Sequence, residues 1–424
     1  MNKDVNYKNK KRYKTARYPL RQRRFWTWLI RVLSGITMWG RKKKVEKINM
    51  EGLKPPYMIL SNHMAFVDFK LASMGTYPHP VNNVVSIDGY YRRPFLLEWI
   101  GAIATRKFTM DLHLIRSIYK VLERGDVLCM YPEARYTPIG TLAYMPESLG
   151  MLVKRCKVPV VAVVHRGNYL FRPFWDWRRK RKVPFHTTLT KILTPEQIEA
   201  MSTDEINARL REALAYDEYT YQKENNIRIT EPFRAEGLHK VLYKCPACRT
   251  ERQMASEGAA LFCRACKKRW YMDELGELSA TEGETEFPHI PDWFEWERRE
   301  VRAEVEAGTY SVSDEIDVHS LPRLWSFQKL GKARFTHDVE NGIVIEGHYR
   351  GEDYRIQRTP LQTNSIHVEY DWFHVKPADC VDVSTENDSF FCFFENEKDI
   401  ITKIAFAVEE IYHLHMRRKR GKEG

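Results

Sequence analysis

The sequence predicts an α/β domain on a mostly parallel sheet, then a small four-cysteine segment, then a β-rich C-terminal domain closed by a terminal helix. Three observations carry this reading: short apolar runs alternating with amphipathic stretches through the first half, two Cys-x2-Cys pairs in the middle, and short strand patterns after about residue 325. In the first half, residues 57–61, 83–87, 126–131 and 159–164 read as buried strands, and 112–124 and 147–156 as helices between them. Strand–helix alternation favours parallel pairing, and ligands of such sheets collect at the strand ends. At 424 residues and 43% hydrophobic content the chain has room for two or three cored domains. The expected division is 1–44, 45–236, 237–285, 286–324 and 325–424.

The net charge of +12 is unevenly spread, because residues 1–44 hold 15 Lys/Arg against one acid, Asp4. Within this arm the largely apolar stretch Phe25 to Gly40 is 16 residues long and is interrupted by Arg31. That is short of the roughly 20 apolar residues that span a bilayer. A secretory leader is also disfavoured, since the 24-residue cationic lead is long and no clear small-residue cleavage site follows it. The arm therefore reads as an interfacial segment, with Trp26, Trp28 and Trp39 at head-group level and basic flanks drawn to an anionic membrane surface. The expected location is the cytoplasmic face of a membrane, peripheral or monotopic. The plainer alternative is a basic tail followed by a helix packed on the domain. The run Arg178 to Lys182 either adds to the same face or is ordinary solvated surface.

Candidate chemistry starts at Asn62-His63, directly after the apolar run Tyr57 to Ser61, with Asp68 five places beyond the histidine. The spacing alone says little, because His348/Asp353 and His374/Asp379 repeat it. Context separates them: His63 lies between a strand and the stretch Phe69 to Met74, which reads as a helix, whereas the other two lie in polar, turn-rich stretches. Positions five apart on a helix are about 140° out of phase. His63 is therefore expected before the helix and Asp68 in its first turn, where an acid suits the positive end of the helix dipole. There the carboxylate can hold one imidazole nitrogen and leave the other to take a proton from a hydroxyl. Downstream, Tyr131-Pro132-Glu133-Ala134-Arg135 supplies an acid and a cation, with a surface ion pair as the bland alternative.

Asn-His-x4-Asp after a buried strand, a Pro-Glu motif about 70 residues on, and then Val158-Pro159-Val160-Val161 resemble the lysophospholipid acyltransferases of the 1-acylglycerol-3-phosphate acyltransferase type. The resemblance covers roughly residues 45–220. It implies His63 as general base on a free glycerol hydroxyl and Asp68 as its orienting partner. It also implies a substrate-binding set of Asn62, Arg106, Lys107, Glu133 and Arg135. The family reads Phe-Pro-Glu-Gly-Thr-Arg where this chain has Tyr-Pro-Glu-Ala-Arg-Tyr, so Glu133 carries over directly and Arg135 as a substitute one position early. The family's Gly followed six places later by Arg is met by Gly101 and Lys107, with Arg106 just before it. Lys is a point charge where Arg is a bidentate fork. The implied reaction moves a fatty acyl group from acyl-CoA or acyl-carrier protein to a lysophospholipid. The expected acceptor is 1-acylglycerol-3-phosphate and the product phosphatidate.

Cys245-x2-Cys248 and Cys263-x2-Cys266, 14 residues apart, have the spacing of a four-thiolate zinc site. Two disulfides are the alternative, disfavoured without a secretory signal. Four thiolates close the coordination sphere, so the expected zinc is structural, and Lys240 to Leu278 resembles a zinc ribbon. Cys129, Cys156, Cys380 and Cys392 are scattered and read as buried thiols.

Beyond the ribbon, Glu297 to Ala307 reads as a charged helical connector. Strand patterns follow at 333–336, 342–349, 354–358, 365–372 and 389–395, and a final helix at 398–415. This succession resembles a pleckstrin-homology-type barrel. A second functional class, a non-catalytic zinc-ribbon protein whose basic arm binds nucleic acid or anionic membrane, leaves the ordered blocks between 62 and 164 unexplained. The arm's tryptophans and aliphatic residues also fit a nucleic-acid partner poorly.

Overall fold

A computed structural model describes residues 5–8, 19–372 and 374–423; most of the cationic lead lies outside them. The chain forms two units, one of Thr15–Thr105 with Asp111–Ile229 and one of Met1–Lys14, Arg106–Met110 and Thr230–Gly424.

The first unit is built on seven strands: β1 (Lys43–Ile48), β2 (Tyr57–Ser61), β3 (Val81–Ser86), β4 (Ile103–Thr105), β5 (Val127–Met130), β6 (Val160–Arg166) and β7 (Phe185–Leu193). They lie in the order β1-β7-β6-β2-β5-β3-β4, and every neighbouring pair is parallel except β6/β7. The helices are α1 (Arg24–Thr37), α2 (Val67–Thr76), α3 (Pro94–Trp99), α4 (Leu112–Glu123), α5 (Ser148–Cys156), α6 (Asn168–Phe171), α7 (Pro195–Ala200), α8 (Thr203–Leu214) and α9 (Glu218–Glu224). Successive strand residues point to opposite faces. Met58 and Leu60 of β2 accordingly pack in the core of α4, α5 and α8, while Tyr57 and Ile59 pack with Val127, Val161 and Leu189 on the other side. A strand buried on both faces needs a continuous apolar run, which is how β2, β5 and β6 stand out in the sequence.

β1, β4 and β7 escaped the sequence reading. β1 is Lys-Lys-Val-Glu-Lys-Ile on the sheet edge, where exposed charges discourage further pairing. β7 is threonine-rich and interleaves polar with apolar residues, and β4 is only three residues long.

Helix α1 faces the wrong way for a helix packed by the hydrophobic effect. Its buried residues are Thr27 and Ser34, and the Ser34 hydroxyl lies 3.2 Å from that of Ser73 on α2. Phe25, Trp28, Leu33 and Ile36 are exposed on it, as is Trp39 just beyond its end. The three tryptophans are not equivalent, as the arm reading had them: Trp26 is half-buried and stacks on Trp99 of α3, with ring centroids 6.2 Å apart. The run 178–182 is not uniformly solvated either, since Arg181 is buried, bonded to Asp176 and set over Trp175. Among the described residues no helix is long and apolar enough to cross a membrane.

The second unit begins with an antiparallel ribbon of β8 (Met254–Glu257), β9 (Ala260–Cys263), β10 (Arg269–Met272) and β11 (Leu278–Ala280). Helix α10 (Ile290–Glu306) braces it: Trp293 donates its indole N–H to the Lys244 carbonyl, and Glu297 accepts the Lys244 amide at 2.7 Å. Seven antiparallel strands follow: β12 (Ser311–Arg323), β13 (Ser326–Asp338), β14 (Gly342–Tyr349), β15 (Glu352–Arg358), β16 (His367–Trp372), β17 (Ala378–Ser384) and β18 (Ser389–Phe394). Their order is β15-β14-β13-β12-β18-β17-β16, and α11 (Ile401–Glu423) closes the unit. Phe294 of α10 meets Phe406 of α11 at 4.5 Å, beside ion pairs Arg298–Glu409 and Arg302–Glu410.

The segment 286–324 is therefore not a simple connector. It contains β12, the central strand of this sheet, so the β-rich region begins at Ser311 and not near 325. The charges of Ser-Val-Ser-Asp-Glu-Ile-Asp-Val hid it, although the exposed–buried alternation of a half-buried strand is present.

Candidate active site and candidate metal centre

Three adjacent parallel strands, β6, β2 and β5, end on one edge of the sheet, and each hands a loop to the same place. The β2 loop carries Asn62 and His63, the β5 loop Tyr131 to Tyr136, and the β6 loop Gly167 and Asn168.

His63 sits before α2 and Asp68 in its first turn, with Nδ1 3.1 Å from the carboxylate Oδ2. Asp68 is fully buried, and its oxygens are well supplied with donors. Oδ2 also accepts the amides of Met64 at 2.6 Å and Ala65 at 3.0 Å, while Oδ1 accepts from Asn168 Nδ2 at 2.6 Å. Burial alone would push this carboxyl up. The hydrogen bond from His63, the charges of His165 and His63 and the amide of Asn168 outweigh it and hold the pKa below its usual value. The His63 side chain keeps 22% of its surface in solvent. Its ring stacks on Tyr131 at 3.9 Å between centroids and lies 4.2 Å from that of Tyr136.

The backbone of His63 is gripped from both sides by the β5 loop. Its amide donates to Glu133 Oε1 at 3.2 Å, and its carbonyl accepts the Thr137 amide at 2.9 Å. Glu133 Oε2 accepts the Ala143 amide at 2.8 Å and the Tyr216 hydroxyl at 3.4 Å. Burial pushes this carboxyl up to about 7, against the pull of those amides and of the Arg135 charge. Asn62 is also buried, and its side chain exchanges hydrogen bonds with the His165 backbone at 2.9 and 3.1 Å. Glu133 and Asn62, expected at the substrate, thus act on the framework around His63. Arg135 is buried in the same loop, after Ala134 at φ +53°, a left-handed position that a glycine would take without strain.

Arg106 and Lys107 fall in a different unit from His63. The segment Arg106–Met110 belongs to the second unit, where Arg106 is buried and donates Nη1 to the Glu386 carbonyl at 3.1 Å. The repeated spacing His348/Asp353 is a cross-strand contact at 2.9 Å between exposed side chains of β14 and β15.

The sequence reading missed Asn168, Tyr136, Tyr216 and Glu218, which lie 68 or more residues beyond Asp68 in sequence and join it only in the fold. One signal was present: Gly167-Asn168 directly after a buried strand is turn chemistry. Gly167 has φ +80°, and a Cβ there would come within 2.2 Å of the Pro184 carbonyl. Its amide donates to Glu218 Oε2 at 2.7 Å.

The candidate metal centre lies in the second unit. The four sulfurs of Cys245, Cys248, Cys263 and Cys266 fall within 4.8 Å of one another. Cys245–Cys266 and Cys248–Cys263 are each 3.7 Å apart. Zinc bonded to sulfur at about 2.3 Å in a tetrahedron sets sulfur–sulfur edges of about 3.8 Å, so these thiols fit the ion. All four are free of disulfides, and each Cys-x2-Cys knuckle is followed by a residue at positive φ, Arg249 at 60° and Lys267 at 67°. With four thiolates as ligands no position stays open for a substrate.

Two predictions follow from these sites. Elemental analysis finds about one zinc per chain, lost with Cys245→Ser/Cys248→Ser together with the cooperative unfolding of the ribbon; a folded, metal-free wild type refutes the centre. Burial also pushes Glu218 up to about 8. An unfolded glutamate titrates near about 4.3, so the folded chain binds the extra proton between these values and stability falls as pH rises through that window. Glu218→Gln keeps an acceptor for Gly167 but removes the titration. Its unfolding free energy should fall less from pH about 5 to about 8, by on the order of a few kcal/mol in urea titrations. An equal slope in both proteins contradicts a neutral Glu218.

No protein-family model matches the chain, and no curated protein matches its sequence. Among solved structures it is similar to the crystal structure of the 1-acyl-sn-glycerophosphate (LPA) acyltransferase PlsC from Thermotoga maritima. Identity is 14%, the match covers 49% of this chain and 83% of that one, and the TM-score is 0.37. That likeness is too distant to transfer the role of any residue.

Proposed function

We propose that the chain is a glycerolipid O-acyltransferase that works at a membrane surface, moving a fatty acyl group from acyl-CoA or acyl-carrier protein to the free hydroxyl of a lysophospholipid such as 1-acylglycerol-3-phosphate. The observation that carries this reading is the His63–Asp68 pair, with its buried, multiply bonded carboxylate and its partly exposed imidazole. Asp68 holds the proton on Nδ1, which leaves the Nε2 lone pair to accept a proton from the acceptor hydroxyl as its oxygen attacks the thioester carbon. Collapse of the tetrahedral intermediate breaks the carbon–sulfur bond and expels the thiolate, which takes the proton back from Nε2. Glu133 and Thr137 fix the His63 backbone while the tyrosines fix its ring, so the base is held before substrate arrives. Arg135, in the β5 loop beside His63, is the proposed cation for the acceptor's anionic end.

The acceptor is amphiphilic, and the first unit offers an apolar face to go with it. Phe25, Trp28, Leu33, Ile36 and Trp39 are exposed together with Phe95, Leu96 and Trp99 of α3, and Phe66 is exposed three residues after His63. Exposed Arg23, Arg24, Lys42 and Lys44 flank this face, which suits an anionic bilayer. The ribbon zinc has a structural role in this scheme and takes no part in transfer.

His63→Ala is expected to lower acyl transfer from labelled acyl-CoA to lysophosphatidate by about 10²–10⁴-fold, with circular dichroism unchanged. Full activity in that variant removes His63 from the role. Replacing Trp28 and Ile36 by Ser takes away exposed apolar area only, so sedimentation with phosphatidylglycerol vesicles should weaken about tenfold or more while the unfolding midpoint holds. Unchanged sedimentation rules out this face as the docking surface.

A further inference from the structure

A short segment near the start of the chain is bound by the second unit as a ligand would be. Val5 and Tyr7 are buried, 3% and 7% exposed, although the segment belongs to no strand or helix. The Tyr7 hydroxyl lies 2.7 Å from Asp388 Oδ2 and 2.6 Å from Ser320 Oγ. The phenol is the donor toward both, with its one proton shared between the Ser320 hydroxyl and the charged Asp388 carboxylate. The Tyr7 ring lies 6.1 Å from that of Tyr349, and Asn6 Nδ2 donates to both oxygens of Glu352 at 3.0 Å.

The receiving site is built into the β-rich sheet. Ser320 is fully buried on β12, and Asp388 is buried at the turn before β18, its Oδ1 taking the Ser389 amide at 2.8 Å. Ser384 and Ser389, paired across β17 and β18, are buried as well, with hydroxyls 2.7 Å apart. Polar side chains buried in a sheet cost free energy unless their hydrogen bonds are met. Here the Tyr7 hydroxyl meets part of that demand for Ser320 and Asp388.

We infer that the β-rich unit carries a binding site for an extended peptide containing an unphosphorylated tyrosine, filled in this chain by its own residues 5–7. The specificity follows from Asp388. Its carboxylate accepts the phenol proton, but it would face a phosphotyrosine dianion across a hydrogen-bonding distance in a site without bulk water. Such like-charge contact strongly disfavours binding. A phenylalanine fills the same space and leaves the carboxylate without this donor. The inference is independent of the proposed acyl transfer, since none of these residues belongs to the His63 site.

The full chain with Tyr7→Glu should vacate the pocket by setting one carboxylate against another. A fluorescent peptide of residues 1–12 is then expected to bind that variant at least about tenfold more tightly than it binds wild type, where the site is occupied. Peptides with Phe or phosphotyrosine at position 7 should bind at least about tenfold more weakly than the tyrosine peptide, the size expected when a charge-assisted hydrogen bond is lost. Equal binding to both proteins, or equal binding of the Tyr and Phe peptides, overturns the inference. Should Tyr7→Glu fail to fold, hydrogen exchange on wild type and Tyr7→Phe decides instead. Amides of residues 5–8 must exchange at least about tenfold faster in Tyr7→Phe, and equal rates reject the site.

Discussion

The first unit turns on one buried negative charge. Removing a carboxylate from water is costly unless fixed donors replace the water, and Asp68 is supplied from two directions. The chain just before it contributes His63, Met64 and Ala65, and the far side of the site contributes Asn168. The donors that stabilise the charge also fix the geometry. The amides of Met64 and Ala65 can reach Oδ2 only if the chain turns tightly into α2, and that turn is what brings the His63 ring back over the carboxylate.

The sheet explains why the other loops converge there. β6, β2 and β5 are neighbours and parallel, so their C-terminal ends lie side by side, and three segments separated by 30 residues or more in sequence arrive at one edge. Asn62 and His165, at equivalent ends of β2 and β6, extend the pairing of those strands by one side-chain bridge. The His165 ring is bonded to Thr187 on β7, and burial pushes it down to about 4. It is therefore neutral near pH 7, where the Asp68 charge rests on His63, Asn168 and the amides of Met64 and Ala65. Glu133 is the counterpart on the β5 side. Its two oxygens reach His63 and Ala143, which makes it a clamp between loops that holds the His63 backbone.

What was legible in the sequence was local. The His63/Asp68 pair and the two cysteine knuckles each lie within a few residues, so spacing and flanking patterns sufficed to place them. β2, β5 and β6 were visible because burial on both faces demands an unbroken apolar run. β1, β7 and β12 were not, since edge position or a solvated face lets Lys, Thr and Asp into the strand. Asn168, Tyr216 and Glu218 stayed hidden for a different reason. Each is an ordinary polar residue until the sheet brings it to the site, and no local pattern records that meeting. Arg106 shows the same limit, because its spacing from Gly101 does not record that it bonds the Glu386 carbonyl within the other unit.

Helix α1 presses the question of surroundings hardest. The hydrophobic effect orients a helix with its apolar side inward, yet here Thr27 and Ser34 face the protein and Phe25, Trp28, Leu33 and Ile36 face out. Burying that face against water-excluding material would recover roughly 25 cal/mol for each Å² covered. The described residues leave that gain unused. In the proposed function a bilayer supplies the apolar phase and also answers the cations flanking the helix. A lysophospholipid acceptor would reside in the same phase, with its head group at the depth of the basic residues. In that proposal the inverted face of α1 and the partly exposed imidazole of His63 serve one requirement, a base that meets a hydroxyl attached to a lipid.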